Sequence, residues 1–326
     1  MEPINFQQYD HNPESFTRDA LSLFQYQLEN NTLYAAYVKA LGKDTSRIKS
    51  IIEIPFLPVE FFKTHKITTG QFSPEIVFTS STTGGANPSL HLVRHLALYE
   101  SSFLNSFRYF YGEPADYRIL ALLPSYLERS GSSLVYMMEK LIQLSNHPES
   151  GFYLYNHQEL ADTLIKLEKT SQKSLLLGVS FALLDFADAF PIKLNNTIVM
   201  ETGGMKGRRE EITRDELHAN LKEAFSVPFI HSEYGMTELL SQAYSAGNGI
   251  FHCPSWMKVL IRDPYDPLCM LPAGQTGAVC IIDLANHWSC SFLATSDLGR
   301  VHPDGSFEIL GRMDQAEIRG CNLMVL

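Results

Sequence analysis

Over residues 16–41 the apolar positions recur at helical intervals, with Leu21, Phe24, Leu28, Leu33, Tyr37 and Leu41 in step, and the spacing predicts a helical segment. Residues 51–62 are apolar but carry two prolines, so they read as an irregular connection. Ile76-Val77-Phe78 is a short β-branched and aromatic run that enters Thr79-Ser80-Ser81-Thr82-Thr83-Gly84-Gly85, a polar hinge. A helical pattern follows over residues 95–111. Strand, small-residue loop and helix in that order are an α/β signature. The alternation continues with a strand at 119–123, a helix at 132–144, a strand at 174–179, a helix at 181–190 and a strand at 196–200. Thr213-x-x-Glu216 then fits a capping box that opens a helix over 214–225.

Beyond Val259 the texture changes. Short alternating runs at 259–261, 278–282 and 307–310, separated by Gly and Pro, predict β-hairpins. The expected organisation is an α/β region over 1–250 and a smaller, mainly-β lobe over 251–326. No internal repeat is visible.

With 326 residues, 45% hydrophobic and 19% charged, the chain has a globular balance and can bury a substantial core without staples. Its formal net charge of -10 argues against nucleic-acid binding. The five cysteines, Cys253, Cys269, Cys280, Cys290 and Cys321, form no C-x-x-C pair and no zinc spacing, which suits free thiols in a reducing compartment. Four of them read as strand core. The first residues lack the basic and apolar regions of a signal peptide, and the longest apolar stretch, 174–184, is too short to span a bilayer. A cytoplasmic protein is expected.

Several segments carry candidate chemistry. The hydroxyls and backbone N–H groups of 79–85 suit phosphate oxygens, though no Walker Gly-Lys-Ser/Thr follows, and a plain polar loop fits as well. In Tyr234-Gly235-Met236-Thr237-Glu238 a hydroxyl beside a carboxylate can hold a phosphate and a hard cation together; a turn opening a helix is the alternative. In Thr295-Ser296-Asp297-Leu298-Gly299-Arg300 the Asp can accept from two ribose hydroxyls, and Arg312 of Leu310-Gly311-Arg312-Met313-Asp314 can reach the same sugar; ordinary Asp–Gly turn chemistry also fits. His231, before Ser232, suits a site or a structural role, whereas His95, His218 and His252 show no metal spacing. Met137-Met138 and the aromatic run 107–111 read as core.

Together these segments, in order and with Gly203-Gly204 between them, resemble the acyl-adenylate-forming superfamily. The likeness is greatest to the acyl-protein synthetases of bacterial bioluminescence, the LuxE type, and runs from about residue 10 onward. Residues 78–84, Pro124-Ser125-Tyr126-Leu127-Glu128-Arg129, residues 178–184, Glu201-Thr202-Gly203-Gly204-Met205-Lys206-Gly207 and Arg319-Gly320-Cys321 carry it. The resemblance implies the large-domain architecture of adenylate-forming enzymes, β-sheets flanked by helices. It implies that Ser80, Ser81, Thr82, Thr83 and Gly84 wrap the phosphates of ATP. Gly203, Gly204, Tyr234 and Gly235 would line the adenine and acyl-carboxylate region. Thr237 would meet the α-phosphate, Glu238 the Mg²⁺, and Asp297 with Arg312 the ribose.

Two departures stand out. The phosphate loop has Ser81 where the family has an internal Gly, and Pro88-Ser89 is followed by Leu90 and His91 rather than Lys, so that loop lacks a fixed cation. The sequence also stops at Leu326, so the family's mobile C-terminal domain and its catalytic Lys are expected to be absent. In the acyl-protein synthetase branch a cysteine near the C-terminus accepts the acyl group, and Cys321 stands in that place. A six-residue tail reaches at most about 20 Å.

The resemblance thus implies ATP-dependent activation of a carboxylic acid, a fatty acid first among them, as acyl-AMP. Transfer to Cys321 follows, with an acyl reductase or transferase as partner. Coenzyme A as acceptor, as in aryl-acid ligases, is the near variant. Two other readings differ in kind. Leu177-Gly178-Val179-Ser180-Phe181-Ala182 approximates a nucleophile elbow, which would make Ser180, with Asp297 and His302, a serine hydrolase or acyltransferase triad. A non-catalytic nucleotide-binding subunit would explain the missing lysines. The acyl pocket is expected from residues 126–133, 179–183 and the surroundings of Met205 and Tyr234, apolar and aromatic enough for a fatty or aryl acid.

Overall fold

The computed structural model describes residues 1–9, 12–81, 87–124, 129–170, 172–203 and 212–313. The N-terminal helical pattern forms two helices, α1 (Pro13–Asn30) and α2 (Thr32–Ala40), rather than one segment. Asn31 breaks them: its Oδ1 accepts from the Tyr34 N–H at 3.0 Å, capping α2, while its Nδ2 donates to the Ser289 carbonyl at 2.9 Å. The proline-bearing connection then turns through two short 3₁₀ helices around a two-residue strand, β1 (Leu57–Pro58).

Strand β2 (Ile76–Thr79) is followed not by a helix but by a second strand, β3 (Leu90–Val93), which pairs with it antiparallel. This corrects the strand–loop–helix expectation. Helix α3 (Leu96–Tyr111) comes next. The alternating core then runs β4 (Tyr117–Leu122), α4 (Ser133–Ser145), β5 (Gly151–Phe152), α5 (His157–Leu167), β6 (Lys173–Val179), α6 (Ser180–Ala189), β7 (Thr197–Thr202), α7 (Arg214–Phe225), β8 (His231–Tyr234) and β9 (Ala243–Ser245). These strands form one six-stranded sheet in the order β5-β4-β6-β7-β8-β9, parallel except for β9.

Strands β4 and β6 are buried almost throughout, as their unbroken apolar runs require when both faces are covered. Helices α5, α6 and α7 meet over one face through His157, Phe186 and Phe225. Helices α3 and α4 meet over the other through Tyr99 and Tyr136, as right-handed crossovers dictate. The capping box at Thr213 forms, with Thr213 and Glu216 bonded reciprocally. Met137, Met138 and Phe107 lie in the core, while Tyr109 is exposed.

The remaining strands are β10 (Met257–Arg262), β11 (Thr276–Asp283), β12 (Phe292–Val301) and β13 (Phe307–Arg312). They pair antiparallel, and β12 also takes β1 in parallel at its other edge. This sheet therefore joins residues from both sides of position 250, and one hydrophobic cluster runs from Phe16 through Phe292 to Phe307. Of the four described cysteines, Cys280 is buried in β11 and Cys290 in the β11–β12 connection. Cys253 is half-buried and Cys269 is exposed, so the strand-core expectation fails there. No helix among the described residues is long and apolar enough to cross a membrane.

Candidate active site

Open parallel sheets bind ligands at the carboxyl ends of their strands. Here the chain leaves β6 at Ser180, β7 at Gly203 and β8 at Gly235. Ser180 donates to the Gly203 carbonyl at 2.9 Å and stands 3.4 Å from Glu201. Glu201 is buried and faces Arg214 at 3.5 Å and His218 at 3.6 Å, on the α7 side of the sheet. Arg214 also donates to the Ile309 carbonyl at 2.8 Å and lies over the Phe251 ring, tying the start of α7 to β13. The next pair along β7 and β8, Thr202 and Glu233, points to the opposite face. Burial pushes the Glu233 carboxyl up to about 7, with Glu201 adding a like charge.

After β8 the chain makes a turn rather than a helix. A Cβ on residue 235 would stand 2.5 Å from Glu233 Oε1, so any side chain there would displace the Glu233 carboxyl. The Tyr234 hydroxyl donates to Asp297 Oδ2 at 2.8 Å. Asp297 lies inside β12, not in a turn, and Arg312 on β13 is its register partner. Cross-strand partners stand side by side, so two groups 15 residues apart flank one spot. Burial raises the Asp297 carboxyl, against the pull of the Tyr234 hydroxyl and of Arg312 and Arg214.

The segment 237–241 is braced from below. His91 on β3 is buried, and burial pushes its imidazole down to about 4, so the ring is neutral. Its Nδ1 lies 2.8 Å from the Thr237 carbonyl and its Nε2 2.9 Å from Ser289 Oγ. A carbonyl only accepts, so Nδ1 carries the hydrogen and Nε2 accepts from the serine. Asn286 Nδ2 donates to the Glu238 carbonyl at 2.7 Å, and its Oδ1 accepts from the Leu240 N–H. Asp283, fully buried, accepts from the N–H groups of Leu240, Ser241 and Ala285 and from the Ser241 hydroxyl.

None of these brace residues was picked out by sequence motif. Polar residues at 283, 286 and 289 within apolar strand texture were the available signal. His91 occupies the stretch after Pro88 where the resembling family carries a lysine. It serves the neighbouring loop as a neutral donor.

The β2–β3 pair meets this segment. The Ser89 N–H donates to Ser80 Oγ at 2.9 Å and the Ser80 N–H to the Ser89 carbonyl. The Ser89 side chain lies by the Glu238 carboxylate, which burial raises, with Lys63 opposing. Ser80, Thr237, Glu238, Tyr234, Gly235, Asp297 and Arg312 are thus linked where β8 ends against β12 and β13, while Gly203 is bonded to Ser180 at the end of β7. Ser81, two residues beyond β2, is exposed. Thr82, Thr83, Gly84, Gly204 and Cys321 lie outside the described residues, as do 126–128 and Met205 of the expected acyl pocket.

The hydrolase triad is not assembled. Ser180 is bonded to Gly203, Asp297 to Tyr234, and His302 faces Glu308 at 3.6 Å. His231 is half-buried, with Nδ1 3.2 Å from the Tyr111 hydroxyl. His95 pairs with Glu75 at the start of α3.

No group of three or more His, Cys, Asp or Glu among the described residues is arranged to hold a metal. A hard cation carried by phosphate oxygens and water needs only one or two carboxylates. Glu238 offers one such carboxylate, buried beside Ser89, and burial raises its carboxyl.

No protein-family model matches the sequence, and no curated protein matches it. Solved structures do. The chain is similar to an open conformation of 2-hydroxyisobutyryl-CoA ligase in complex with 2-HIB-AMP and CoA. The TM-score is 0.67 at 15% identity, covering 96% of this chain and 77% of that one. The same ligase in its thioesterification state gives 0.65 at 16% identity, covering 96% and 75%. ATP-bound MatB from Rhodopseudomonas palustris gives 0.55 at 13% identity, covering 85% and 52%, so the chain spans about half the length of that protein. At such identities the likeness carries the fold alone, a mixed α/β architecture with sheets flanked by helices.

Proposed function

We propose that this chain is an AMP-forming ligase that activates a carboxylic acid with ATP and passes the acyl group to a thiol. One observation carries the reading. On the fold of acid–CoA ligases, Tyr234 of the Tyr-Gly-Met-Thr-Glu segment bonds Asp297, which is paired in register with Arg312. Three separate motifs of the resembling family thereby meet at one spot.

A carboxylate has no good leaving group. Attack of its oxygen on the α-phosphorus of ATP expels pyrophosphate and leaves a mixed anhydride. A thiolate then attacks the acyl carbon, forming a thioester and releasing AMP. The residues divide this work. Asp297 accepts from the ribose hydroxyls, with the Tyr234 hydroxyl fixing its orientation and Arg312 alongside. Ser80 and Ser81, with Thr82, Thr83 and Gly84, receive the phosphates. Gly203, Gly204 and Gly235 leave room for adenine and the acyl carboxylate. Thr237 places its hydroxyl at the α-phosphate, held by the His91 and Asn286 bonds to its own and the next carbonyl. Mg²⁺ held at Glu238 would screen the phosphate charge.

Two acceptors are open to the acyl group. Cys321 follows from the resemblance to acyl-protein synthetases, with a reductase or transferase consuming its thioester. Coenzyme A is favoured by its presence in the 2-hydroxyisobutyryl-CoA ligase complex.

Intact mass after incubation with Mg-ATP and a panel of acids separates them. An added acyl mass, removed by hydroxylamine and lost in Cys321→Ala, supports self-acylation. ATP–pyrophosphate exchange without added mass, together with acyl-CoA formation, supports coenzyme A. Neither signal with any acid refutes the proposal. Glu238→Gln is expected to lower exchange by at least about 100-fold while leaving the far-UV circular dichroism unchanged.

A further inference from the structure

The α3 side of the parallel sheet holds a group of buried polar atoms with no role in binding the nucleotide. Thr202 on β7 is the register partner of Glu233 on β8, and Tyr244 on β9 is the partner of Glu233 on its other side. Gln242 immediately precedes β9. The Thr202 hydroxyl donates to Glu233 Oε2. The other oxygen, Oε1, lies 2.5 Å from where a Cβ on Gly235 would stand, and Gln242 Cγ lies 3.4 Å from the same point. The glutamate carboxyl and the glutamine therefore converge over Gly235, in room that exists because residue 235 has no side chain.

Gln242 is 4% exposed, and its Oε1 has no hydrogen-bond partner among the described residues. The nearby phenols do not supply one. Tyr99 donates to the Ser133 carbonyl at 2.9 Å, and the Tyr111 hydroxyl is engaged with His231. A buried amide oxygen can only accept, and left unpaired it costs stability. What it lacks is a donor. Burial also keeps the neighbouring Glu233 carboxyl partly protonated near neutrality, so Glu233 can donate to or accept from a small polar group.

Resting on the function proposed above, we infer that the acid activated here carries a hydrogen-bond-donating substituent, a hydroxyl or amino group, held between Gln242 Oε1 and the Glu233 carboxyl. Gly235 to Thr237 spans at most about 10 Å of chain, so the substituent sits on the carboxyl-end part of the acid rather than at the far end of a long chain. An unsubstituted alkyl chain leaves Gln242 Oε1 without a partner, which turns the expectation of a plain fatty acid toward a substituted one.

The test uses the full chain in ATP–pyrophosphate exchange with matched acids: butanoate, 2-hydroxybutanoate, 3-hydroxybutanoate and 2-aminobutanoate, then octanoate and 3-hydroxyoctanoate. At least one substituted acid should exceed its unsubstituted partner by about 100-fold or more in kcat/KM, because a site built to bond a polar group rejects the analogue lacking it. Gln242→Leu should cut that ratio to roughly 10-fold or less. Glu233→Gln sorts the two donors: it abolishes a preference for an ammonium group and retains one for a hydroxyl. Equal or better exchange with the plain acids overturns the inference and leaves the ligase reading standing. Exchange with no acid overturns both. The wild-type panel decides the matter even where a variant folds poorly.

Discussion

The parallel sheet delivers its site residues where the chain leaves β6, β7 and β8, at Ser180, Gly203 and Gly235–Glu238. The antiparallel sheet delivers Asp297 from within β12, Arg312 from the last position of β13 and Asp283 from the last position of β11. Strand ends leave backbone N–H groups and small side chains free for a ligand. Strand interiors have their backbone committed, so they offer side chains at fixed register. The parallel sheet thus contributes loop residues, and the antiparallel sheet contributes side chains at fixed register together with the bonds that hold the 237–241 loop. The brace of Asp283, Asn286 and Ser289 shows this, since all three bond the 237–241 segment directly or through His91.

Removing the brace from the antiparallel side should have the largest effect. Asp283→Ala leaves the Ser241 and Ala285 N–H groups without an acceptor in a fully buried place and takes one of two partners from the Leu240 N–H and the Ser241 hydroxyl. Unfolding in urea should show a loss of about 4 kcal/mol. A loss below about 1 kcal/mol would break the division of labour between the sheets.

A smaller effect is expected at the other end of the brace. His91→Leu frees the Thr237 carbonyl, and pyrophosphate exchange should fall roughly 10-fold in kcat with the KM for ATP nearly unchanged. His91→Asn keeps an N–H in the place of Nδ1 and should recover most of the rate. Equal losses in both variants would argue for packing rather than positioning.

The smallest effect is in the pH profile of stability. Burial holds the Glu233 carboxyl at about 7 and Asp283 at about 6, both above their unfolded values near 4. Between the unfolded and folded values the native state keeps a proton that the unfolded chain has lost. Stability therefore falls as pH rises through that window. In Glu233→Gln the fall of about 1 kcal/mol between pH 6 and 8 should flatten. The fall between pH 4 and 6, which Asp283 shares, should persist. Denaturant midpoints at unit pH steps read this out.

How much of this was legible in the sequence follows from the range of each signal. Strands β4, β6 and β7 and helix α7 announce themselves through unbroken apolar runs and a capping box, which are local. Strand β8 does not, because His231-Ser232-Glu233 is polar although two of its residues are buried. Strand β12 is hidden by Asp297 and Gly299, which read as a turn until β13 pairs with them. Strand β3 was passed over because the polar hinge ahead of it looks like the approach to a helix. At the site, the motif residues were legible as a set. Their braces were not, because His91 and Thr237 are 146 positions apart and nothing in either neighbourhood refers to the other.

The pairing of Leu57 with Leu293 has a consequence for the order in which the chain acquires its shape. Gln27 likewise donates to the carbonyls of Asn286 and His287, about 260 residues later. During synthesis the first helices emerge long before the segment that completes their surroundings exists. Until residues near 290 leave the ribosome, the buried amide of Gln27 and the apolar edge of β1 have only water or a chaperone as neighbours. Closing so long a loop is slow, and the exposed interval favours association with other chains. The N-terminal segment around Gln27 and β1 is therefore a part whose early exposure a cell must manage, although Gln27 and Leu57 are fully buried in the finished fold.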